Sequence, residues 1–285
     1  VDEEQHFGVS HKERLKELRS DVHVLTLTAT PIPRTLQLSL SGVRDLSLIS
    51  TPPAGRLSIK TFVSEWSAPV IREACLRELR RGGQVYFIHN HVETIERTAD
   101  SLRQLVPEAT LRVAHGQMRE TDLEQIMLDF HHRRFDLLLC TTIIESGIDM
   151  PSVNTLVVER ADLLGLGQLH QLRGRVGRGS HESSCVLLYR APLGMLSRAR
   201  LNAIRESNDG FVIAQRDLEL RGPGELLGTR QTGLAQMRVA DLARDADLLP
   251  EVQRAAEVLL REYPDRIAPL TSRWIGTDDR YGRIG

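Results

Sequence analysis

From Ile59 onward, short apolar runs alternate with longer stretches in which apolar residues recur three and four positions apart. That change of period separates strands from helices. The runs Ile59 to Val63, Gln84 to Ile88, Leu111 to Ala114, Phe135 to Cys140, Thr155 to Val158 and Cys185 to Tyr189 predict strands. Between them, Pro69 to Arg81, with Val70, Ile71, Ala74, Cys75 and Leu79 close to helical spacing, predicts a helix that stops at Gly82-Gly83. Val92 to Leu105 and Arg119 to Phe130 predict two more. Repeated strand and helix units with near-continuous apolar strands predict an α/β fold, a parallel sheet covered on both faces. Past Pro192 the alternation ends. Leu196 to Glu206 and Phe211 to Leu220 predict a helical hairpin across Ser207-Asn208-Asp209-Gly210, and Leu248 to Tyr263 and Ile267 to Trp274 a helical tail.

Upstream, Asp21 to Thr28 predicts one further strand, with Val22, Val24 and Leu25 apolar. Thr51-Pro52-Pro53-Ala54-Gly55-Arg56 is a stiff polar break and the best domain boundary in the chain. Three parts result: 1–57, 58–190 and 191–285.

Composition narrows the classes. With 285 residues and 41% hydrophobic content the chain can bury real cores. Its formal net charge of −1 gives no global basic signature, so any grip on nucleic acid must come from local patches. Cys75, Cys140 and Cys185 are widely spaced, without a Cys-x-x-Cys pair, which argues against a disulfide framework and a zinc site and fits a reducing cytoplasm. No apolar run approaches the roughly twenty residues of a membrane span. The first residue is not Met, and the start is expected to be cut.

The densest chemistry lies in Gln171-Leu172-Arg173-Gly174-Arg175-Val176-Gly177-Arg178. Guanidinium groups in a tight glycine-bearing bend make a surface suited to phosphate oxygens, because each arginine offers a fixed fork of donors. A solvated basic turn is the plainer reading, since only Lys12, Lys16 and Lys60 are lysines among 37 basic residues. Asp2-Glu3 pairs two carboxylates suited to metal and proton handling. Thr141 to Pro151 follows a strand directly, and the carboxyl ends of parallel strands are where such sheets bind ligands. His89-Asn90-His91 and His131-His132 have no third ligand at metal-binding spacing.

These stretches together resemble the motifs of superfamily 2 helicases and translocases. Asp2-Glu3-Glu4-Gln5 is similar to the second motif, Thr28-Ala29-Thr30 to the third, Thr141-Thr142-Ile143-Ile144-Glu145-Ser146-Gly147-Ile148-Asp149 to the fifth, and the arginine run to the sixth. Helices 196–220 followed by Arg221-Gly222-Pro223-Gly224 and Gly228-Thr229-Arg230-Gln231-Thr232-Gly233 resemble the translocation motif of RecG and the transcription-repair coupling factor. Residues up to about Asp162 look most like the coupling factor, and those from about Leu164 like RecG, as in a chimera or an intermediate natural homologue.

The resemblance implies a RecA-like lobe over 58–190, preceded by the remnant of a first such lobe and followed by a translocation module. It implies ATP and Mg²⁺ as cofactors, with Asp2 holding Mg²⁺ through water and Glu3 polarising the attacking water. Arg175 and Arg178 would be fingers on the γ-phosphate. Gly147, Asp149 and Gln171 would lie beside the nucleotide. Thr28, Thr30, Thr141 and Thr142, with Arg221, Arg230 and Gln231, would contact DNA or couple to it, and His115-Gly116-Gln117-Met118 would lie near nucleic acid. The implied protein is the C-terminal motor portion of a bacterial, cytoplasmic, nucleoid-associated double-stranded DNA translocase. Branched DNA or stalled forks would be its substrate, or stalled RNA polymerase in a coupling factor. An inert DNA-binding fragment is the further alternative, because no Gly in the chain is followed by Lys and the loop that cradles ATP phosphates is missing. A separate N-terminal lobe is then a required partner.

Overall fold

A computed structural model describes residues 57–145, 150–179, 181–226 and 245–274, together with Arg14, 22–28, 47, 49 and 51. The chain separates into two units, Val1–Pro31 and Ile32–Gly285, a division ahead of the proline-rich break.

The second unit carries a six-stranded sheet of β1 (Lys60–Glu65), β2 (Gln84–Ile88), β3 (Leu111–Ala114), β4 (Leu137–Cys140), β5 (Val153–Val158) and β6 (Ser184–Tyr189). Its order is β1-β6-β5-β2-β4-β3, and every described pairing is parallel. The helices that follow in the chain are α1 (Ala68–Arg80), α2 (Val92–Leu105), α3 (Glu120–His131), α4 (Leu166–Arg173), α5 (Met195–Glu206), α6 (Gly210–Leu226), α7 (Leu249–Glu262) and α8 (Ile267–Trp274).

Strands β2, β4 and β5 are buried along their whole length, which is why their sequences run apolar without alternation. Successive side chains nevertheless go to opposite layers. Val85 and Phe87 join Ile71 and Cys75 of α1 and Ile95, Ala99 and Leu102 of α2. Tyr86 and Ile88 join Phe130 of α3, Leu166, Leu169 and Leu172 of α4, Leu201 and Ile204 of α5 and Ile213 of α6. A sheet with a core on each face is the RecA-like arrangement expected.

At the amino end of the sheet, Glu78 is fully buried and held by Thr155 (2.5 Å), Asn154 (3.3 Å) and Arg81. That network satisfies a carboxylate that would otherwise be costly inside.

Three expectations change. The glycine-bearing bend expected over 171–178 begins only at Gly174, because 166–173 form a helix in which Leu166, Leu169 and Leu172 fall at helical spacing and are all buried. The glycine-rich segment expected to begin as a loop at Arg221 is helical as far as Leu226, continuing α6. In the first unit, Leu27 alone among 22–28 makes a bridge, and Val22, Leu25 and Leu27 are exposed rather than packed as a buried strand requires.

Candidate nucleotide-facing and DNA-facing site

The carboxyl ends of β6, β5 and β2 are neighbours, and each delivers a polar residue: Arg190, Glu159 and His89. The His89 ring contacts Glu159 Oε2 through Nδ1 at 2.7 Å and Thr94 Oγ1 through Nε2 at 2.8 Å. Arg190 reaches Glu159 Oε1 at 3.5 Å. Burial works to raise the Glu159 carboxyl, but the hydrogen bond and charge of His89, with Arg190, outweigh it and hold the group below its ordinary value. One strand over, Thr141 is buried at the end of β4, with its N–H on Ala114 O at 3.3 Å. Thr142 opens a 3₁₀ turn, Thr142–Glu145, and donates its hydroxyl to Asn90 Oδ1 at 3.4 Å. At the end of β3, His115 Nδ1 is buried without a hydrogen-bond partner among the described residues.

Helix α4 packs against the 142–145 turn, bringing the threonine segment and the arginine segment together. Its buried leucines face the sheet, and Gln171 is half-buried. A hydrogen-bonded turn continues from it, with Gly174 N–H to His170 O (3.0 Å), Arg175 N–H to Leu172 O (3.0 Å) and Val176 N–H to Arg173 O (3.3 Å). Arg175 is half-buried, and Arg178 is exposed with its Nε donating to Gly174 O at 3.3 Å. Gly177 has φ of +76°, and a Cβ there would lie 3.0 Å from Ile59 Cγ1. Glycine is thus required by backbone hand and by close packing, whether or not a ligand approaches.

Not all three arginines of the run present themselves to a phosphate. Arg173 is buried, and its Nη1 donates to Ile204 O at 2.6 Å and Ser207 O at 2.8 Å, at the carbonyl end of α5. Nearby, Arg160 has a left-handed backbone (φ 54°) and pairs with Asp162 at 3.0 Å. The backbone oxygen of Asp162 accepts from Ser197 Oγ and Arg200 Nη2, both at 3.0 Å.

Of the residues expected from sequence, Gln171, Arg175 and Arg178 therefore stand at and after the end of α4, and Thr141 and Thr142 on the turn against it. Thr28 is exposed in the first unit, and Arg221 falls within α6. Asp2, Glu3, Thr30, Gly147, Asp149, Arg230 and Gln231 lie outside the described residues. Sequence reading counted Arg173 among the phosphate-reading arginines, and it missed Arg200 and the Glu159–His89 pair. The signal was faint: a charged residue directly after an apolar strand, twice.

Arg175, half-buried, and Arg178, exposed, carry guanidinium forks of the kind that the terminal phosphates of a nucleotide would need. For Mg²⁺ the expected ligand, Asp2, is outside the description, and among the described residues no cluster of three His, Cys, Asp or Glu is placed to hold a metal. Among those residues, too, no helix is long and apolar enough to cross a membrane.

Comparison with known proteins follows the same lines. The helicase conserved C-terminal domain family matches residues 69–180, and the family "ATP-dependent DNA helicase RecG, domain 3, C-terminal" matches 207–273. The transcription-repair-coupling factor of Escherichia coli K12 is 58% identical over 238 residues, covering 82% of this chain and 21% of its own. The chain belongs to the RecG and transcription-repair-coupling-factor group of superfamily 2.

Within that group, the coupling factor of Bacillus subtilis 168 is 53% identical over the same share of this chain. RecG bound to a three-way DNA junction matches with a TM-score of 0.64 at 31% identity, over 86% of this chain and 38% of that one. Dbp5 bound to RNA and ADP BeF3 shares the fold at 14% identity, with a TM-score of 0.53 over 74% of this chain and 56% of that one. The chain spans between about a fifth and a third of the length of the curated coupling factors it matches.

Proposed function

We propose that this chain is the C-terminal motor portion of an ATP-dependent double-stranded DNA translocase that remodels branched DNA or stalled forks. One observation carries the reading: the helix that ends in the arginine turn is packed directly against the helical hairpin α5–α6. A nucleotide sensor and a hairpin of the kind found beside a DNA-gripping loop are thus one mechanical piece.

ATP with Mg²⁺, when bound on a first RecA-like lobe, supplies the phosphoryl bond whose hydrolysis powers the cycle. Arg175 and Arg178 would hold its terminal phosphates and neutralise charge that grows in the transition state. Thr141 and Thr142 sit where a DNA backbone can run over the carboxyl edge of the sheet. Arg221, Arg230 and Gln231 grip duplex DNA or couple to it. Asp2 and Glu3 would hold Mg²⁺ through water and polarise the attacking water, and Gly147, Asp149 and Gln171 would contact the nucleotide.

A second reading, a motor that displaces stalled RNA polymerase, is favoured by the 58% identity to a coupling factor. The junction-bound RecG likeness and the RecG domain match favour the first. Two assays on the full-length protein decide: binding to synthetic forks supports fork remodelling, and capture of RNA polymerase supports the coupling factor. Because no Gly-Lys pair occurs in the 285 residues, the isolated chain is expected to hydrolyse ATP negligibly. DNA-stimulated turnover by the isolated chain, abolished in R178A, would contradict this.

A further inference from the structure

Arg173 sits two residues before Arg175 and faces the other way. Its side chain is 3% exposed, and both bonds from its Nη1 end on carbonyls at the close of α5 and the start of the hairpin turn. Carbonyls of a helix's last turn have no partner inside the helix, and the helix dipole places negative charge there, so a guanidinium is well matched. The arginine is nonetheless an expensive choice for a buried position next to Leu172, itself part of the core, because an apolar side chain would be buried there without desolvating a cation. The buried thiol of Cys185 reports the same setting: burial pushes it up to about 12 although the charge of Arg173 works the other way. A planar guanidinium on two carbonyls offers direction and stiffness in return.

Both ends of this link are tied by hydrogen bonds. On the arginine side, the turn bonds of Gly174, Arg175 and Val176 run without a gap from α4. On the hairpin side, Asp209 N–H bonds to Ser207 Oγ (3.1 Å), and Asp209 Oδ1 accepts from Phe211 N–H (2.8 Å) and Val212 N–H (3.4 Å), capping α6. A displacement of Arg175 is therefore passed to the end of α5 and the beginning of α6 at once.

We propose that Arg173 is a positioning residue that couples the phosphate-facing arginines to the hairpin, so that nucleotide-driven movement reaches the DNA-gripping segment through its two carbonyl bonds. This rests on the translocase reading above. In the full-length translocase, R173Q and R173K are compared with wild type for DNA-stimulated ATP hydrolysis and for displacement of a third strand from a triplex. R173Q is expected to keep hydrolysis within about threefold while displacement falls about tenfold or more, with R173K between, because only the transmitted movement is lost. Leu201→Ala loosens the same helix without touching the guanidinium, and should leave displacement per ATP unchanged. Parallel loss of both rates in R173Q, or unchanged displacement per ATP, overturns the proposal; if R173Q does not fold, the R173K ratio decides by the same criterion. A wild-type protein that neither hydrolyses ATP with duplex DNA nor displaces the strand removes the translocase reading and this inference together. A working wild type beside fully coupled Arg173 variants removes the inference alone.

Discussion

Gly177→Ala tests the geometry of the arginine turn most directly. At φ of +76° an alanine strains its backbone, and its Cβ meets Ile59 Cγ1 at 3.0 Å and Cδ1 at 3.3 Å. The left-handed conformation costs a non-glycine residue about 1–2 kcal/mol. Ile59 is 8% exposed and cannot simply swing away, so overpacking adds about 1–3 kcal/mol. The sum, about 2–5 kcal/mol, is a large share of a domain's stability. Urea unfolding of the chain measures it, with Gly174→Ala as comparison. Gly174 already has right-handed helical angles (φ −65°), and its nearest Cβ contact is Gln171 O at 3.2 Å, so its cost should be smaller. The two contributions separate in an Ile59→Ala background, where the added cost of Gly177→Ala should fall to the backbone share, about 1–2 kcal/mol. If Gly177→Ala unfolds at the same urea concentration as wild type, or costs as much in the Ile59→Ala background as with Ile59 in place, the steric argument is wrong.

Other outcomes follow from the same structure. R178A in the full-length translocase should lower DNA-stimulated ATP turnover by about 10³- to 10⁵-fold while duplex affinity stays within about twofold; a loss of affinity as large as the loss of turnover would place Arg178 on DNA instead. Glu159 titrates below its ordinary value in the folded chain, so its contribution to stability is complete above that value and disappears as pH falls through the folded one. Unfolding followed from pH 7 to pH 3 should accordingly show a steeper acid loss for wild type than for E159Q, and matching slopes would refute the linkage. Duplex affinity should fall steeply as salt rises, because phosphate contacts dominate sequence-independent binding; a flat salt titration would contradict a backbone grip.

How much of this is legible without the structure depends on where each cause lies. The bounds of β2 and α2 emerge as expected, because Gly82-Gly83 and the run Gln84 to Ile88 are local signals, and the face of Ile95, Ala99 and Leu102 is helical by spacing alone. Helix α4 is hidden because the bend read from Gly174 and Gly177 is extended back over the residues before them. Three leucines at helical spacing, all of them buried, decide otherwise. Nothing in a string of residues distinguishes Arg173 from Arg175, because the carbonyls that hold Arg173 belong to residues 31 and 34 positions further on. His89 raises only the question of a metal when its neighbours in the chain are all there is to weigh. Its carboxylate partner is 70 positions away and arrives because β2 and β5 are adjacent in the sheet. Local chemistry is readable, and partnerships made by strand order are not.

Strand order also sets a timetable for assembly. Among the described residues, β1 has β6 as its sheet partner, and the ion pair between Lys60 and Glu182 at that border joins residues 122 positions apart. Strand β1 of this sheet must wait for nearly the whole lobe to be made before it can be zipped into place. Closing so long a loop is slow and leaves an open strand edge meanwhile. Pairing of β1 is thus a late event in the assembly of this sheet, completed only once the chain as far as Tyr189 is present.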